Sequence, residues 1–246
     1  MSATAIILAR AGSKGVPGKN RAPVGGRACV AWTIDAARAS RTVDRVVVST
    51  DDAEIERIAL AEGIECVARP ADLASDTARV DDAARDCVRR LEERAGRSMA
   101  ADAALVLLYA NVPVRPSDVI DRAVTLLRES GADSVQSYQP VGKNHPWWTA
   151  RLEAEGRVRP WEGEVLNHNV YRRQDLPAAF VPDGAVISLT RRALMLEIAG
   201  VTPGPHAFFG LDRRGVINPE GSVVDIDSPR ELALADLMLR GTHADR

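Results

Sequence analysis

The residues best suited to chemistry lie in a glycine-rich segment near the start of the chain. The sequence LARAGSKGVPGKN, residues 8–20, carries three glycines and the cations Arg10, Lys14 and Lys19. Glycines let a backbone approach a ligand closely and turn its N–H donors toward phosphate oxygens, while cations offset phosphate charge. The segment therefore predicts a triphosphate-binding loop. A flexible, solvated basic loop is the alternative interpretation.

Two familiar glycine motifs do not describe this segment. The dinucleotide-binding pattern GxGxxG is absent. The Walker A pattern fails at two positions, because Ser13 occupies its first glycine position and Asn20 its serine or threonine position. The loop is thus predicted to bind phosphates without belonging to either motif.

Two carboxylates stand close together near the other end of the chain. The sequence VVDIDSPREL places Asp225 and Asp227 two residues apart. We interpret residues 222–227 as a strand, on which both carboxylates project from one face. Their repulsion favours a cation, and Mg²⁺, which takes oxygen ligands and substrate phosphates, is the natural occupant. Ser228 and Glu231 predict a helix start, so the pair lies at a strand tip. A solvated turn is the alternative.

Hydrophobic periodicity predicts the elements that position these residues. Short apolar runs alternate with segments in which apolar residues recur every three or four positions. This alternation predicts an α/β protein with a mainly parallel sheet covered on both faces. Ligands bind beyond the carboxyl ends of such strands, so the loops after Leu8, Ser49 and Tyr109 are the first candidates. The predicted strands are 5–8, 45–49, 103–109 and 222–227, and the predicted helices are 30–39, 51–62, 80–94, 116–129 and 229–240.

Composition restricts the classes of function. A chain of 246 residues accommodates one large α/β domain or two small ones. A net charge of −2 shows no bias toward nucleic acid or an acidic membrane surface, so neither is expected as a partner. No apolar run reaches the roughly 20 residues that span a bilayer, and no signal peptide is recognised. The three cysteines form no CxxC pair, which argues against a disulfide framework or a zinc site and favours a cytoplasmic setting.

The segment 137–182 differs from the rest of the chain. It contains three of the four tryptophans and has weak periodicity. A loop-rich insertion or a dimer contact would use such aromatics. A local mini-core is an equally good interpretation.

Together these motifs resemble the acylneuraminate cytidylyltransferases, which make CMP-sialic acid and its bacterial relatives. The resemblance covers nearly the whole chain and rests on LARAGSKGVPGKN, VVVSTDDAEIERIALAEG, RPADLASDTA, GADSVQS, RRQDLP, DGAVI and VDIDSPREL. It implies a single Rossmann-like nucleotidyltransferase domain over residues 1–246, with 137–182 as a dimerisation and sugar-binding insertion. It further implies a Mg²⁺-dependent homodimer that transfers CMP from CTP to the anomeric C2 hydroxyl of an acidic 2-keto sugar.

The resemblance also assigns roles to individual residues. It matches Arg10, Lys19 and the aspartate pair to catalysis, with Asp225 and Asp227 as metal ligands. The nucleotide-binding positions it implies are Leu8, Ala9, Arg10, Gly12, Ser13, Lys19, Asn20 and Arg69. The sugar-binding positions it implies are Tyr109, Asn111, Arg173, Asp183, Phe208 and Phe209.

Several positions depart from the family pattern, most of them on the sugar side. Tyr109 replaces a glutamine, Asp183 replaces an asparagine and Ile187 replaces a tyrosine, whereas the glycine loop and the aspartate pair are intact. These departures predict that N-acetylneuraminate is not the best substrate. Because Asp183 could accept a hydroxyl proton, they favour a deaminated or otherwise modified nine-carbon acid.

The reaction implied is attack of the sugar hydroxyl on the α-phosphorus of CTP with loss of pyrophosphate, which depends on positioning and charge stabilisation. Two other classes stay open. A nucleotidyltransferase that uses a sugar 1-phosphate or KDO would share the loop, and so would a non-catalytic nucleotide-binding regulator. The intact aspartate pair argues against the regulator, because a binder needs no second metal carboxylate.

Overall fold

A seven-stranded sheet organises the chain, of which the computed structural model describes residues 3–241. The strands are β1 (Ala3–Ala9), β2 (Pro23–Val24), β3 (Arg27–Ala28), β4 (Val43–Thr50), β5 (Glu65–Ala68), β6 (Ala104–Tyr109), β7 (Ser134–Pro140), β8 (Ala150–Leu152), β9 (Val158–Pro160), β10 (Phe180–Thr190) and β11 (Arg213–Ile217). The helices are α1 (Cys29–Ala39), α2 (Ala53–Ala61), α3 (Val80–Ala95), α4 (Val119–Ser130), α5 (Arg191–Leu194) and α6 (Pro229–Gly241).

The strand order creates a switch point beside β1. The order is β11-β7-β10-β6-β1-β4-β5. Strand β1 is parallel to β4 and β6, β4 is parallel to β5, and β11 is parallel to β7, whereas β10 is antiparallel to both β6 and β7. The predicted α/β class and mainly parallel sheet are confirmed. The chain runs outward from β1 through β4 to β5 and then returns to the other side of β1, which leaves a crevice between the ends of β1 and β6.

Helices cover both faces of the sheet, and β1 shows why. Its side chains alternate between two cores: Ile7 and Ala9 pack with α1, α2 and α4, and Ile6 and Leu8 pack with α3 and α5. A strand buried on both faces needs apolar residues at every position, which is the continuous run that the sequence shows.

A third, smaller core holds the glycine-rich loop against the C-terminal helix. Val16 of the loop and Val24 of β2 pack with Ile226 and with Leu239 of α6. The two candidate segments, 8–20 and 225–227, are therefore fixed by one shared apolar cluster.

Two predicted elements differ from the structure. Residues 222–227 do not form a strand, because Val224 makes a single isolated bridge with Val114 and the neighbouring backbone groups bond to a loop. The helix predicted over 116–129 begins at Val119, after a turn closed by the bond from the Val119 N–H to the Pro116 carbonyl. The helix start at 228–231 is as predicted, since the Glu231 carboxylate accepts from the Ser228 N–H at 2.7 Å.

The aromatic segment emerges between two sheet strands. The limits 137 and 182 fall inside β7 and β10, so the irregular part covers 141–179 and contains short 3₁₀ turns and the β8–β9 hairpin. Trp147 stacks on His168 with ring centroids 4.5 Å apart, and the Trp148 indole donates to the Val170 carbonyl at 3.0 Å. Two of the three tryptophans thus pack locally, while Trp161 is more than half exposed.

Across residues 3–241, no helix combines the length and the apolar character that crossing a membrane requires.

Candidate active site

The candidate residues meet at the carboxyl edge of the parallel strands. The glycine-rich loop follows β1, residues 51–52 follow β4, and residues 110–115 follow β6. Because β10 runs in the opposite direction, its first residues, 180–184, reach the same edge. This edge contains the switch point between β1 and β6, where open α/β sheets bind their ligands.

The glycine-rich loop lies directly against the aspartate segment. A Cβ atom placed on Gly15 would lie 2.0 Å from the carbonyl oxygen of Asp227, so only glycine fits there. Gly18 has a φ of +65°, a left-handed conformation that glycine adopts without strain. Asn20 is buried and donates from Nδ2 to the carbonyl of Arg10 at 2.9 Å, which closes the loop.

The three loop cations all have carboxylate partners. Lys19 Nζ lies 2.6 Å from Asp227 Oδ1 and so joins the loop to the acidic pair. Arg10 and Lys14 contact Asp76 at 3.0 and 2.9 Å. Hydrogen bonds from Lys14 and then from Arg10 lower the pKa of Asp76. A polyphosphate bound by the loop would compete with these carboxylates for the same cations.

Asn111, in the loop after β6, fixes the aspartate segment. The N–H of Ile226, which is fully buried, donates to the Asn111 carbonyl at 2.9 Å. In return the Asn111 amide donates to the Asp225 carboxylate and, at 3.2 Å, to the Ile226 carbonyl. Ile226 is buried between the two aspartates, whereas Asp225 is half-buried and Asp227 is exposed. Asn111 was assigned to the sugar by resemblance, and here it positions a carboxylate.

The electrostatics of the aspartate pair suit a divalent cation. Burial, and then the neighbouring Asp227 carboxylate, raise the pKa of Asp225 from 3.8 to about 6, against the opposing effect of Lys19. Mg²⁺ takes one or two protein carboxylates and completes its shell with phosphate oxygens and water. Residues 3–241 hold no cluster of three or more His, Cys, Asp or Glu side chains suited to a metal. The two carboxylates fit an ion that takes its remaining ligands from phosphate oxygens and water.

The raised pKa of Asp225 predicts how the stability of the protein changes with pH. The folded chain keeps a proton on Asp225 up to about pH 6, whereas the unfolded chain releases it near 3.8. Ionisation of Asp225 therefore lowers the free energy of unfolding. This effect is absent well below pH 3.8 and complete well above about pH 6. In a chelator, Asp225→Asn is expected to unfold with a free energy roughly 1–3 kcal/mol higher than the wild type at pH 8, and with no difference near pH 4. Urea unfolding at both pH values measures this, and a difference that does not change with pH would contradict it.

A cleft of about 610 Å³ lies beside the glycine loop and contains two of the predicted nucleotide-binding residues, Gly12 and Arg69. Arg69 is 9 % exposed, and its Nη2 donates to the Ser49 carbonyl at 2.9 Å, which fixes the guanidinium at the back of the cleft. Leu8 and Ala9 are buried below the loop at the end of β1. Ser13 is half-buried within it.

Two adjoining cavities lie on the other side of the aspartates and share Tyr109 as a lining residue. We call the cavity of about 450 Å³ that contains Asp225 the acidic chamber. The cavity of about 410 Å³ that contains Phe208 and Phe209 is the aromatic chamber. The structure thus brings Tyr109, Phe208 and Phe209 together beside the chamber that contains Asp225.

Asp183 also lines the acidic chamber, but its carboxylate is already engaged. Oδ1 accepts from the Ser137 hydroxyl and, at 3.0 Å, from the Ala185 N–H, and Oδ2 accepts from the Asn218 amide at 2.7 Å. The side chain therefore ties β10 to β7 and to the segment after β11. That Asp183 favours a sugar hydroxyl or amine stays a prediction, and its carboxylate already accepts three hydrogen bonds.

Arg173 stands apart from the other candidates. Its guanidinium contacts Glu220, and its side chain is 56 % exposed.

Two residues of the site were not indicated by the sequence. Asp76 is the partner of two loop cations. Arg115 holds the loop after β6, because its Nη2 donates to the Tyr109 carbonyl at 3.2 Å. Neither residue lies in a periodic or paired pattern that could have indicated its role.

Comparisons with known proteins agree with this geometry. Residues 4–173 match the cytidylyltransferase family. An N-acylneuraminate cytidylyltransferase of Streptococcus agalactiae is 32% identical over 85% of this chain, and the chain spans only 48% of that relative's length. A CMP-N,N'-diacetyllegionaminic acid synthase of Legionella pneumophila is 33% identical over 97% of both chains.

Solved structures show the same fold at lower identity. A CMP:2-keto-3-deoxy-manno-octonic acid synthetase complexed with CTP superposes with a TM-score of 0.69 at 16% identity, covering 100% of this chain and 99% of its own. The family match and the sequence relatives confirm the resemblance that the motifs indicated: the chain belongs to the acylneuraminate cytidylyltransferases within the cytidylyltransferase family.

Proposed function

We propose that this chain transfers CMP from CTP to the anomeric C2 hydroxyl of an acidic 2-keto sugar of the nonulosonic acid class and releases pyrophosphate. One observation carries the proposal: Lys19 of the glycine loop reaches Asp227 at 2.6 Å, so a phosphate cradle and a metal-type carboxylate pair form one site. The relatives named for N-acylneuraminate and N,N'-diacetyllegionaminic acid support this class of sugar.

Mg²⁺ held by Asp225 and Asp227 would neutralise phosphate charge and lower the pKa of the attacking hydroxyl. The loop N–H groups and Lys19 bind the triphosphate and orient its α-phosphorus, and Arg10 offsets the charge that develops on the leaving pyrophosphate. Asn111 keeps Asp225 aimed at the reacting atoms through its amide contact. No covalent nucleophile is needed, and burial raises the pKa of the Cys29 thiol to about 12, which keeps it protonated.

The two cavities support a location for the sugar. A hydroxyl that reacts beside Asp225 lies in the acidic chamber, and the remainder of a nine-carbon sugar extends past Tyr109 into the aromatic chamber. Tyr109, Phe208 and Phe209 then form the wall against which the sugar lies.

The proposal includes a homodimer in which 137–182 is the dimerisation and sugar-binding insertion. Exposed apolar side chains are concentrated there, and a second copy would bury them and bring Arg173 to the neighbouring site. The exposed apolar side chains of this segment are Leu152, Val158, Trp161, Val165, Leu166, Tyr171, Phe180 and Val181. Light scattering tests the homodimer, and a solution mass of one chain, 26.5 kDa, would refute it.

The proposed location of the protein is the cytoplasm, where CTP is available. Cell fractionation checks this location.

The deciding experiment measures pyrophosphate release from CTP and Mg²⁺ across a panel of acceptors. The panel contains N-acetylneuraminate, its deaminated analogue, legionaminate, pseudaminate, KDO and a sugar 1-phosphate. We expect turnover with the nonulosonic acids, and we expect a sugar other than N-acetylneuraminate to have the highest kcat/KM. Turnover only with the sugar 1-phosphate or KDO would select the alternative enzymes, and CTP binding without any turnover would indicate a regulator.

Lys19→Ala is expected to weaken CTP binding by roughly 10- to 100-fold, because one charge-assisted contact to phosphate is lost. Isothermal titration calorimetry with CTP measures the change. Lys143→Ala is the matched control, since Lys143 is an exposed lysine that lies outside the glycine loop. Equal effects of the two variants, or no effect of either, would count against the phosphate cradle.

A further inference from the structure

The carboxylate of Asp76 holds two cations of the glycine loop, where the proposed mechanism binds phosphate. It accepts from Nη1 of Arg10 at 3.0 Å and lies 2.9 Å from Nζ of Lys14. Hydrogen bonds from Lys14 and then Arg10 lower the pKa of Asp76, so its carboxylate is charged at neutral pH. The protein thus provides an anion of its own at the place expected for an anionic ligand.

This contact lies beside the cleft that contains Gly12 and Arg69. Ser75, the residue before Asp76, lines that cleft, and its carbonyl accepts from Nη1 of Arg10 at 3.1 Å. The exposed residues 75–77 lie between a 3₁₀ turn, Ala71–Ala74, and helix α3. A polyphosphate that binds the loop from this cleft therefore meets the Asp76 carboxylate.

The Asp76 side chain does not tie parts of the fold together. Among residues 3–241 its carboxylate has no partners other than Arg10 and Lys14. Its side chain is 44 % exposed, and that of Lys14 is 80 % exposed. By contrast, the carboxylate of Asp183 is buried and accepts three hydrogen bonds from its surroundings. Exposed ion pairs are screened by water and salt and contribute little to stability, so Asp76 can release its cations at small cost.

We propose that Asp76 is an internal competitor for the polyphosphate site. Its carboxylate holds Arg10 and Lys14 while the loop is empty, yields them to the triphosphate of CTP, and takes them back as pyrophosphate leaves. Because a ligand must displace the carboxylate before it gains the cations, its apparent affinity is lower than the loop alone would give. This inference rests on the proposed function and adds the residue that sets how tightly the product pyrophosphate is held.

Asp76→Asn is expected to tighten the binding of CTP and of pyrophosphate by about 3- to 10-fold, because two exposed ion pairs no longer oppose the ligand. Isothermal titration calorimetry measures both affinities. The affinity for CMP, which lacks the phosphates that become pyrophosphate, is expected to stay unchanged. In turnover assays, pyrophosphate is expected to inhibit the variant at concentrations lower by the same factor.

Two further variants separate competition from a general effect of charge. Asp72→Asn removes the same charge four residues away, from an exposed side chain that has no ion pair within the described part of the chain, and it is expected to change neither affinity. Asp76→Glu retains the carboxylate and is expected to bind pyrophosphate as the wild type does. In a Lys14→Ala background, Asp76→Asn is expected to have a smaller effect, since one of its two cations is gone.

Unchanged pyrophosphate affinity in Asp76→Asn, or an equal gain in Asp72→Asn, would overturn the proposal. Weaker pyrophosphate binding in Asp76→Asn would also overturn it, because Asp76 would then position the cations for phosphate instead of competing for them. Circular dichroism establishes that each variant is folded. A wild type that binds neither CTP nor pyrophosphate would refute the proposed function itself, whereas the Asp76 variants test only the competition.

Discussion

Asp225→Asn and Asp227→Asn are each expected to lower turnover by at least ~100-fold. An asparagine has nearly the same size but offers a neutral oxygen, so the site loses several kcal/mol of charge stabilisation for the metal and the reacting phosphate. Asp225→Asn retains the contact with Asn111, because an amide oxygen also accepts a hydrogen bond. Asp227→Asn additionally weakens the contact with Lys19. Pyrophosphate release at saturating CTP and sugar measures both variants.

Asp102→Asn provides the comparison for these variants. Asp102 is exposed near the start of β6, at the opposite edge of the sheet, and its replacement is expected to leave turnover unchanged. Thermal unfolding establishes that all three variants are folded. Near-normal turnover in both Asp225→Asn and Asp227→Asn would remove the aspartate pair from the mechanism.

Gly15→Ala is expected to reduce turnover by at least ~100-fold, because displacing reacting groups by about 1 Å has effects of this size. The added methyl group would lie 2.0 Å from the Asp227 carbonyl oxygen, which is backbone and cannot move aside by changing a rotamer. The glycine loop, the aspartate segment or both must shift. Steady-state turnover and CTP affinity report the displacement, and thermal unfolding is expected to show a loss of roughly 1–3 kcal/mol.

Gly26→Ala separates this local clash from a general loss of stability. Gly26 has a φ of +80°, so alanine is strained there, but nothing lies within 4 Å of the added atom. This variant is expected to lose stability by about 1 kcal/mol and to retain turnover. If Gly15→Ala behaved in the same way, the close approach of loop and aspartate would have no catalytic importance.

The half of the sheet next to β1 was predictable because its residues repeat one simple pattern. Strands β1, β4 and β6 are apolar runs buried on both faces, and the glycine loop and the aspartate pair are short, dense motifs. Strands β7 and β10 escaped prediction for a physical reason. Strand β7 mixes serine, glutamine and tyrosine, and β10 contains Pro182 and Gly184 at a register shift, which are residues that normally interrupt strands.

Side-chain roles were less predictable than positions. Sequence resemblance assigns Asn111 and Asp183 to the sugar, which stays a prediction, and it did not indicate that Asn111 contacts the aspartate segment or that Asp183 contacts β7. Such contacts join residues that are 114 and 46 positions apart, so no local pattern records them.

The contact between Lys19 and Asp227 spans 208 positions of the chain, which has a consequence for biosynthesis. A ribosome delivers the glycine loop first and the aspartates only after every strand of the sheet has been made. A nascent chain that ends before residue 225 can therefore pair its strands yet holds neither carboxylate, and Val16 and Val24 still lack their partners from Ile226 and α6. Closing such a long loop completes this small core only after the strands of the sheet have been synthesised.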